Sequence, residues 1–269
     1  KRGWTAWLTG AVDAKRPVEK QRVVAIAPIV LDGLNFHSFF HLHYGSYGGW
    51  SFTMRDFVET GFTGRIDTPE MAQLLQIMDP YFYLDRMKGM PKFVLDGTGD
   101  EWFIPDDSRA WIDKAIENGP IWLSMIPDAE HSMITGLPSL MPNLGSFISN
   151  IASNTPNPEI TWKVDYNKGS ITMNIDEKYS SLKRTVQMWH SKTCHGESPR
   201  RDFRMINMDQ STLGDCPCGP KNPSDENQCF NLRAGLWSNS TITADMTLDS
   251  NGNTYTIQQN TPPKFEKRW

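Results

Sequence analysis

Residues 92–100 read Lys-Phe-Val-Leu-Asp-Gly-Thr-Gly-Asp, and this stretch decides the fold. The run Lys92–Asp96 predicts a strand, and the two glycines that follow it predict a turn. Comparable apolar runs at Val23–Val30 and Ile121–Ile126 predict strands before and after it in the sequence. Because helical stretches alternate with these strands, the first part of the chain predicts an α/β fold with a parallel sheet.

The helices of this part are predicted from the spacing of their apolar residues. They are Lys1–Ala14, Pro105–Asn118 and Leu137–Ala152, with shorter pieces at Ser51–Thr60 and Glu70–Met78. Residues 32–90 are otherwise irregular and rich in aromatic side chains, and we interpret them as an insertion. Three strands alone would leave apolar faces and an open edge. We therefore expect further strands upstream of Lys1, on the same gene product or on a separate chain.

Composition excludes several classes of protein. The chain has 269 residues, of which 38% are hydrophobic and 22% charged, which is the balance of a globular protein. A net charge of −4 gives no reason to expect a nucleic-acid partner. The longest apolar run, Val23–Leu31, is far shorter than the about 20 residues that span a membrane. A net charge of −5 over residues 1–155 and +1 over residues 156–269 favours two domains.

Residues 156–269 predict a small all-β domain. Glu159–Tyr166 and Ile171–Ile175 alternate between apolar and polar residues and are joined by a short turn, which is the pattern of a hairpin. Further strands are predicted at Leu182–His190, Asp202–Met208, Thr241–Leu248 and Asn253–Gln259. Six short strands without helices predict an immunoglobulin-like or fibronectin-like sandwich, interrupted by a loop over residues 193–237.

Two polar residues follow the second and third predicted strands, where ligand sites form in open α/β sheets. They are Asp100 and His131. An acid and then a histidine, on consecutive strand ends, is the chain order of an α/β-hydrolase triad. The serine would then come just before the helix that begins at Lys1. Alternatively, Asp100 is a turn residue that caps the next helix and His131 is an ordinary loop histidine.

Several motifs resemble those of the PhoPQ-activated pathogenicity-related (PqaA-like) proteins. The first, Lys1-Arg-Gly-Trp-Thr-Ala-Trp-Leu8, is similar to the segment that follows the nucleophilic serine in that family. The others are Val23–Val30, His43-Tyr44 with Tyr47-Gly48, Asp79-Pro-Tyr81, Gly97-Thr-Gly-Asp100-Glu101, Asp128-Ala-Glu-His131-Ser132, Asn157-Pro-Glu-Ile-Thr-Trp162 and Arg201-Asp-Phe-Arg204. The resemblance implies that residues 1–155 are the C-terminal half of an α/β-hydrolase domain from a secreted protein.

The resemblance also implies a mechanism, the serine-dependent hydrolysis of an ester or amide. His131 would take the serine proton and Asp100 would fix the imidazole. The backbone N–H of Lys1 would form half of the oxyanion hole. The rival interpretation is a secreted signalling or surface-scaffold protein that uses the same fold without catalysis. The residue before Lys1 separates the two, and neither interpretation implies a cofactor.

The insertion at residues 32–90 occupies the place where many α/β-hydrolases carry a lid. An aromatic wall over the active site is predicted from His43, Tyr44, Tyr47, Trp50 and Trp102. Packing beneath the lid is the alternative role for these side chains. His37 and His41 are four residues apart and would share a helix face, a spacing that suits zinc. Because no carboxylate or fourth ligand stands nearby in sequence, we predict no metal.

All four cysteines lie within residues 193–237, at Cys194, Cys216, Cys218 and Cys229. A zinc site that includes His190 and His195 is the rival to disulfides, but the Cys-x-Cys spacing is tighter than structural zinc sites use. The sequon at Asn239, the even number of cysteines and the secreted family favour two disulfides and a secreted or cell-surface glycoprotein. Because a bridge across one residue is strained, we predict that Cys216 and Cys218 pair separately, one with Cys194 and the other with Cys229. The β domain is expected to give support or to bind a protein partner.

Overall fold

A computed structural model describes residues 2–165, 170–176, 187–191 and 201–207, and otherwise only the backbone of six short strands between residues 221 and 258. The chain divides into two compact units. The first comprises Lys1–Ile151 with Ser191–Trp237, and the second comprises Ala152–His190 with Ser238–Trp269. The segment from Ser191 to Trp237 therefore groups with the first unit, whereas the sequence analysis placed residues 193–237 in the second domain. No helix in the described ranges is long and apolar enough to cross a membrane.

Most of the helices lie close to predicted positions, but the helix over Phe36–Tyr47 lies in a stretch that the sequence analysis treated as irregular. The α-helices are α1 (Arg2–Asp13), α2 (Phe36–Tyr47), α3 (Arg55–Glu59), α4 (Pro69–Met78), α5 (Ile112–Glu117) and α6 (Leu137–Ala152). Short 3-10 helices occur at Val18–Lys20, Phe52–Met54, Thr63–Arg65, Pro80–Met87 and Asp107–Ala110. The single helix predicted over Pro105–Asn118 is therefore wrong as a continuous element. It breaks at Trp111, whose backbone angles (φ −146°, ψ −19°) are not helical and whose buried ring packs edge-on against Trp7.

Two strands of the first unit pair in parallel, β1 (Lys92–Gly97) and β2 (Ile121–Ile126). Their register sets Lys92 opposite Ile121 and Gly97 opposite Ile126. All six positions of β1 are buried, which is expected of a strand covered on both faces. The fold is accordingly of the α/β class.

The strand predicted at Val23–Val30 is present only as two isolated parallel bridges to β1. The N–H of Ile26 donates to the carbonyl of Pro91 at 3.0 Å, and the N–H of Val30 donates to that of Leu95 at 2.9 Å. Pro28 lies between these two residues. Its carbonyl accepts the N–H of Leu95, but proline has no N–H that could donate to β1. One missing donor therefore interrupts the strand without moving the chain out of register.

Helices cover both faces of β1. Val94 points into a core cluster with Trp7 and other residues of α1. Phe93 and Leu95 point the other way, into a cluster with Phe147 of α6. The alternation of side chains along a strand thus builds two cores, one on each side of the sheet.

The remaining strands belong to small antiparallel sheets. In the second unit the order of one sheet is β11-β12-β4-β3, built from β3 (Ile160–Asp165), β4 (Ser170–Ile175), β11 (Met246–Leu248) and β12 (Thr254–Gln258). A separate pair is formed by β5 (Gln187–His190) and β10 (Ser238–Thr241). In the first unit β6 (Ile206–Asn207) pairs with β9 (Asn231–Leu232), and β7 (Lys221–Asn222) pairs with β8 (Asp225–Cys229). The predicted hairpin of β3 and β4 is present, whereas the strand predicted over Asp202–Met208 shrinks to β6.

Candidate active site

Asp100 and His131 lie in the loops that follow β1 and β2, at the same edge of the sheet. The two loops are joined by a backbone hydrogen bond, 3.0 Å from the nitrogen of Gly99 to the carbonyl oxygen of Ala129. Their approach is so close that a Cβ on Gly97 would stand 2.2 Å from that same oxygen. Only glycine fits at this position, so the glycines of the turn bring the two site residues together.

The carboxylate of Asp100 and the imidazole of His131 are in contact, as the sequence predicts. Oδ2 of Asp100 is 2.8 Å from Nδ1 of His131. Oδ1 accepts the backbone N–H groups of Trp102 and Phe103, at 2.6 and 3.1 Å, which fixes the carboxylate in place. Because a carboxylate only accepts, Nδ1 donates, and the lone pair of the neutral ring is left on Nε2. About a third of the His131 side chain (34%) is exposed, whereas that of Asp100 is fully buried.

The electrostatics of the pair favour a protonated histidine. Burial disfavours the imidazolium, but the hydrogen bond and the negative charge of Asp100 outweigh it, so the pKa of His131 is raised above its usual value. Glu101 supports the same loop, because its Oε2 accepts the backbone N–H of His131 at 3.0 Å. Burial raises the pKa of Glu101 to about 7.

Two further buried acids, Asp32 and Asp96, lie close enough to Asp100 to feel its charge. Neither carboxylate oxygen of Asp32 has a hydrogen-bond partner among the described residues. Burial, and then the charge of Asp100, raise the pKa of Asp32 to about 8 and that of Asp96 well above its usual range. Asp32 is therefore mostly protonated at neutral pH. The sequence analysis missed both acids, although each stands at or beside the end of a predicted strand.

Helix α1 begins at the edge of the sheet that carries the two site residues. A Cβ on Gly3, in its first turn, would lie 2.7 Å from the carbonyl oxygen of Ile29 and from Cβ of Leu31. The indole N–H of Trp7 donates to the carbonyl of Leu31 at 3.3 Å. These residues end the segment that runs parallel to β1, so the first turn of α1 lies at the carboxyl edge. Lys1 itself is outside the described residues, and the role of its backbone N–H stays a prediction.

Of the five residues predicted to wall the site, Trp102 contacts His131 directly. Their ring centroids are 5.8 Å apart. Phe103 approaches the same imidazole at 6.2 Å, a neighbour that the sequence analysis did not name. Tyr44 is about half exposed, and Tyr47 and Trp50 pack around the fifth residue, a buried histidine.

That histidine, His43, is completely buried and has the packing role that the sequence left as the alternative. Its ring stacks on Trp50 at 6.2 Å and meets Tyr47 edge-on at 4.6 Å. Nδ1 donates to the carbonyl of Trp102 at 3.2 Å, and Nε2 accepts the N–H of Ser51 at 3.4 Å. Burial lowers its pKa to about 3, so the ring is neutral. His43 thus ties the inserted segment to the loop of Asp100.

Comparison with known proteins identifies the family. The sequence profile of the PhoPQ-activated pathogenicity-related proteins matches residues 1–204. The chain belongs to this family. Autocrine proliferation repressor protein A of Dictyostelium discoideum is 32% identical over 210 residues, which are 77% of this chain and 40% of that protein. The chain therefore spans well under half the length of this relative.

The PhoPQ-related match extends to a segment that the sequence analysis misplaced, Arg201-Asp-Phe-Arg204. The N–H of Arg201 donates to the carbonyl of Ser46 in α2 at 2.8 Å, and its guanidinium donates to the Ser46 hydroxyl at 2.9 Å and to Asp106. One residue past the segment, the N–H of Met205 donates to the carbonyl of Gly99 at 2.8 Å. The segment therefore braces both the inserted helix α2 and the turn that presents Asp100.

A buried ion pair anchors this PhoPQ-related segment. Nε and Nη2 of Arg204 contact the two carboxylate oxygens of Asp202 at 2.9 and 2.8 Å, and both side chains are buried. The guanidinium also lies over the ring of Tyr47, 4.1 Å from its centroid. The one sequence signal for this role was the family motif, because the alternation over Asp202–Met208 indicated a strand instead.

The predicted disulfides and glycan lie beyond what the structure describes. Cys194, Cys216 and Cys218 are outside the described residues, and Cys229 and Asn239 are described only as backbone, in β8 and β10. The two disulfides and the modification of Asn239 stay predictions.

Proposed function

We propose that this chain is the C-terminal part of a secreted serine hydrolase of the α/β-hydrolase fold, which cleaves an ester or amide. The observation that carries the proposal is the 2.8 Å contact between Oδ2 of Asp100 and Nδ1 of His131, at the carboxyl ends of two adjacent parallel strands. An acid and then a histidine in this order is the arrangement of an α/β-hydrolase triad. Helix α1 begins at the same edge, where the helix after the nucleophile belongs.

In this proposal a serine directly precedes Lys1 and attacks the substrate carbonyl carbon. Its hydroxyl proton passes to Nε2 of His131, and Asp100 stabilises the imidazolium that forms. The proton then goes to the leaving group, and water hydrolyses the acyl-enzyme by the same route. The backbone N–H of Lys1 would donate to the oxyanion, a contact worth about 3 kcal/mol in the transition state. The tautomer that Asp100 imposes supports this scheme, because it leaves the lone pair on Nε2.

We further propose that the N-terminal part of the hydrolase domain covers apolar surface of the first unit. Val24, beside the interrupted strand, is 72% exposed, and Leu137, Met141 and Ile148 of α6 are also exposed. Strands from the same gene product, intact or cleaved, would bury such groups. The greater length of the Dictyostelium discoideum relative supports this partner.

For the second domain we propose an immunoglobulin-like or fibronectin-like sandwich that supports the hydrolase or binds a protein partner outside the cell. The antiparallel sheets of the second unit support this fold. The sequon at Asn239 and four cysteines support a secreted or cell-surface location. Because the net charge is −4, we propose no nucleic-acid partner.

A second candidate function is that of a secreted signalling protein without catalysis, which the name of the relative favours. That relative is called a proliferation repressor. The residue before Lys1 in the intact protein discriminates the two functions: a serine supports the hydrolase, and glycine or alanine supports the signalling protein.

The test is hydrolysis of a chromogenic acyl ester by the intact protein. The kcat of the His131→Gln variant should be at least about 10³-fold lower than that of the wild type, because the general base is gone. His190→Gln, in β5 of the second unit, is the matched control and should keep its activity. Equal rates for the wild type and His131→Gln would contradict the proposal. An inactive wild type that still represses proliferation would establish the second candidate instead.

A further inference from the structure

His37, His41 and Asp67 form a cluster on the surface of the first unit, apart from the Asp100–His131 pair. The two histidines lie on α2, one turn apart, and both Nε2 atoms face Oδ1 of Asp67, at 2.9 and 2.8 Å. The three donor atoms all lie within 4.8 Å of one another. Sequence alone left the two histidines without a carboxylate, because Asp67 is 26 residues beyond His41.

The donor set matches what a divalent transition metal needs. Two imidazole nitrogens and one carboxylate oxygen suit zinc, whereas calcium and magnesium prefer oxygen ligands. Tetrahedral coordination at about 2.0–2.1 Å would set neighbouring donor atoms about 3.3 Å apart. The separations between nitrogen and oxygen are a few tenths of an ångström shorter than this, whereas the donor atoms as a set spread over up to 4.8 Å. Binding therefore moves Asp67 slightly outward and draws the two exposed imidazoles together by side-chain rotation. Each imidazole would move its proton to Nδ1, which frees the Nε2 lone pair.

The cluster is held by ordered elements. Helix α2 buries its opposite face through Phe36, Phe39 and Phe40, so the two histidines are fixed to a packed helix. Asp67 precedes Thr68, the N-cap of α4, whose hydroxyl accepts the N–H of Met71 at 3.2 Å.

We propose that His37, His41 and Asp67 bind one Zn²⁺ ion, with water in the fourth position. The three side chains are 51%, 51% and 67% exposed, so solvent reaches the metal without any rearrangement of the fold. The ion would tie α2 to the start of α4, the two longest α-helices within residues 32–90. Its role is then to stiffen the inserted segment over the candidate active site.

Titration of the intact protein with Zn²⁺ against a competing chromophoric chelator tests the site. The double variant H37Q/H41Q and the variant Asp67→Asn should each weaken this binding by at least about 100-fold, because loss of an outer-shell group alone costs 10–100-fold. Glu70→Gln is the matched control, because Glu70 is exposed, lies three residues after Asp67 and loses the same charge in this substitution. It should bind zinc like the wild type.

The four cysteines are unchanged in every variant, so any zinc held by thiolates is the same throughout and cancels in the comparison. Imidazole ¹⁵N spectra add a direct readout, because Zn²⁺ should shift the Nε2 signals of both histidines and the proton should move to Nδ1 in each ring. Zinc binding of equal affinity and stoichiometry in the wild type, H37Q/H41Q and Asp67→Asn would overturn the proposal. So would a wild type that binds no zinc.

Discussion

Replacing Asp100 by asparagine separates the two tasks of its carboxylate. Oδ1 accepts two backbone N–H groups, from Trp102 and Phe103, and Oδ2 accepts the Nδ1–H of His131. Asparagine has the same shape but offers one acceptor oxygen and one NH₂ donor. Because asparagine cannot accept hydrogen bonds from both the backbone and His131, the variant loses one of these two sets of contacts.

We expect the contacts with the backbone N–H groups to be kept. An NH₂ group turned toward the N–H groups of Trp102 and Phe103 would leave two buried donors unsatisfied, at about 1–3 kcal/mol each, or roughly 2–6 kcal/mol in total. The amide oxygen should therefore stay on the backbone and the NH₂ should face His131. Nδ1 must then accept, and the proton moves to Nε2, which is the wrong tautomer for a general base. Loss of the correct tautomer should lower kcat by about 10⁴-fold.

Nuclear magnetic resonance of the imidazole nitrogens measures this directly. In Asp100→Asn the ¹⁵N shifts should report a proton on Nε2, and the pKa of His131 should fall, because the carboxylate that raises it is gone. Asp113→Asn, an exposed change on α5, is the control and should leave the tautomer and the pKa of His131 unchanged. A proton that stays on Nδ1 with an unaltered pKa of His131 would refute the reasoning.

Three other substitutions test the scaffold. Gly97→Ala should cost roughly 3 kcal/mol of unfolding free energy in a denaturant titration, because its Cβ meets a backbone oxygen at 2.2 Å, whereas Gly45→Ala has open space and should be neutral or stabilising. The folded-state pKa of Asp32, raised to about 8 from 3.8, means that the native protein binds the extra proton and loses stability as pH rises across this range. The free energy of unfolding of Asp32→Asn, relative to that of the wild type, should therefore rise by up to about 1.4 kcal/mol per pH unit between these two pKa values. Arg204→Met should cost about 3–5 kcal/mol, because it removes the guanidinium that faces the buried carboxylate of Asp202.

Each of these expectations has a contrary result. Equal denaturation midpoints for Gly97→Ala and Gly45→Ala would mean that the two loops are not in close contact. A constant difference in stability between Asp32→Asn and the wild type from acid to alkaline pH would mean that Asp32 is not protonated. Full stability of Arg204→Met would mean that the carboxylate of Asp202 does not depend on this guanidinium in the folded protein.

The sequence predicted the parts of the site that depend on local pattern. Apolar runs placed β1 and β2, and the order of Asp100 and His131 after them predicted a contact that the structure contains. The strand predicted at Val23–Val30 was too regular, because proline at position 28 cannot donate a ladder bond and only two isolated bridges form. The family assignment rested on motifs spread over the chain, and the profile match to residues 1–204 confirms it.

The sequence could not predict contacts that only tertiary packing creates. Asp67 meets His37 and His41 because the inserted segment folds back on itself, and no periodicity encodes that return. The Arg201–Arg204 segment alternates like a strand, yet its hydrogen bonds are made with α2 and with the turn before Asp100. The break in the helix predicted over Pro105–Asn118 has a similar cause, because burial of Trp111 against Trp7 overrides helix propensity.

The most direct test of the central claim is to treat the intact native protein with a fluorophosphonate and to map the adduct by mass spectrometry. The account predicts one covalent adduct, on a serine directly before Lys1, that is absent from the His131→Gln variant because the serine is no longer activated. Absence of any adduct on the native protein, or an adduct that forms equally in His131→Gln, would contradict a Ser-Asp-His hydrolase.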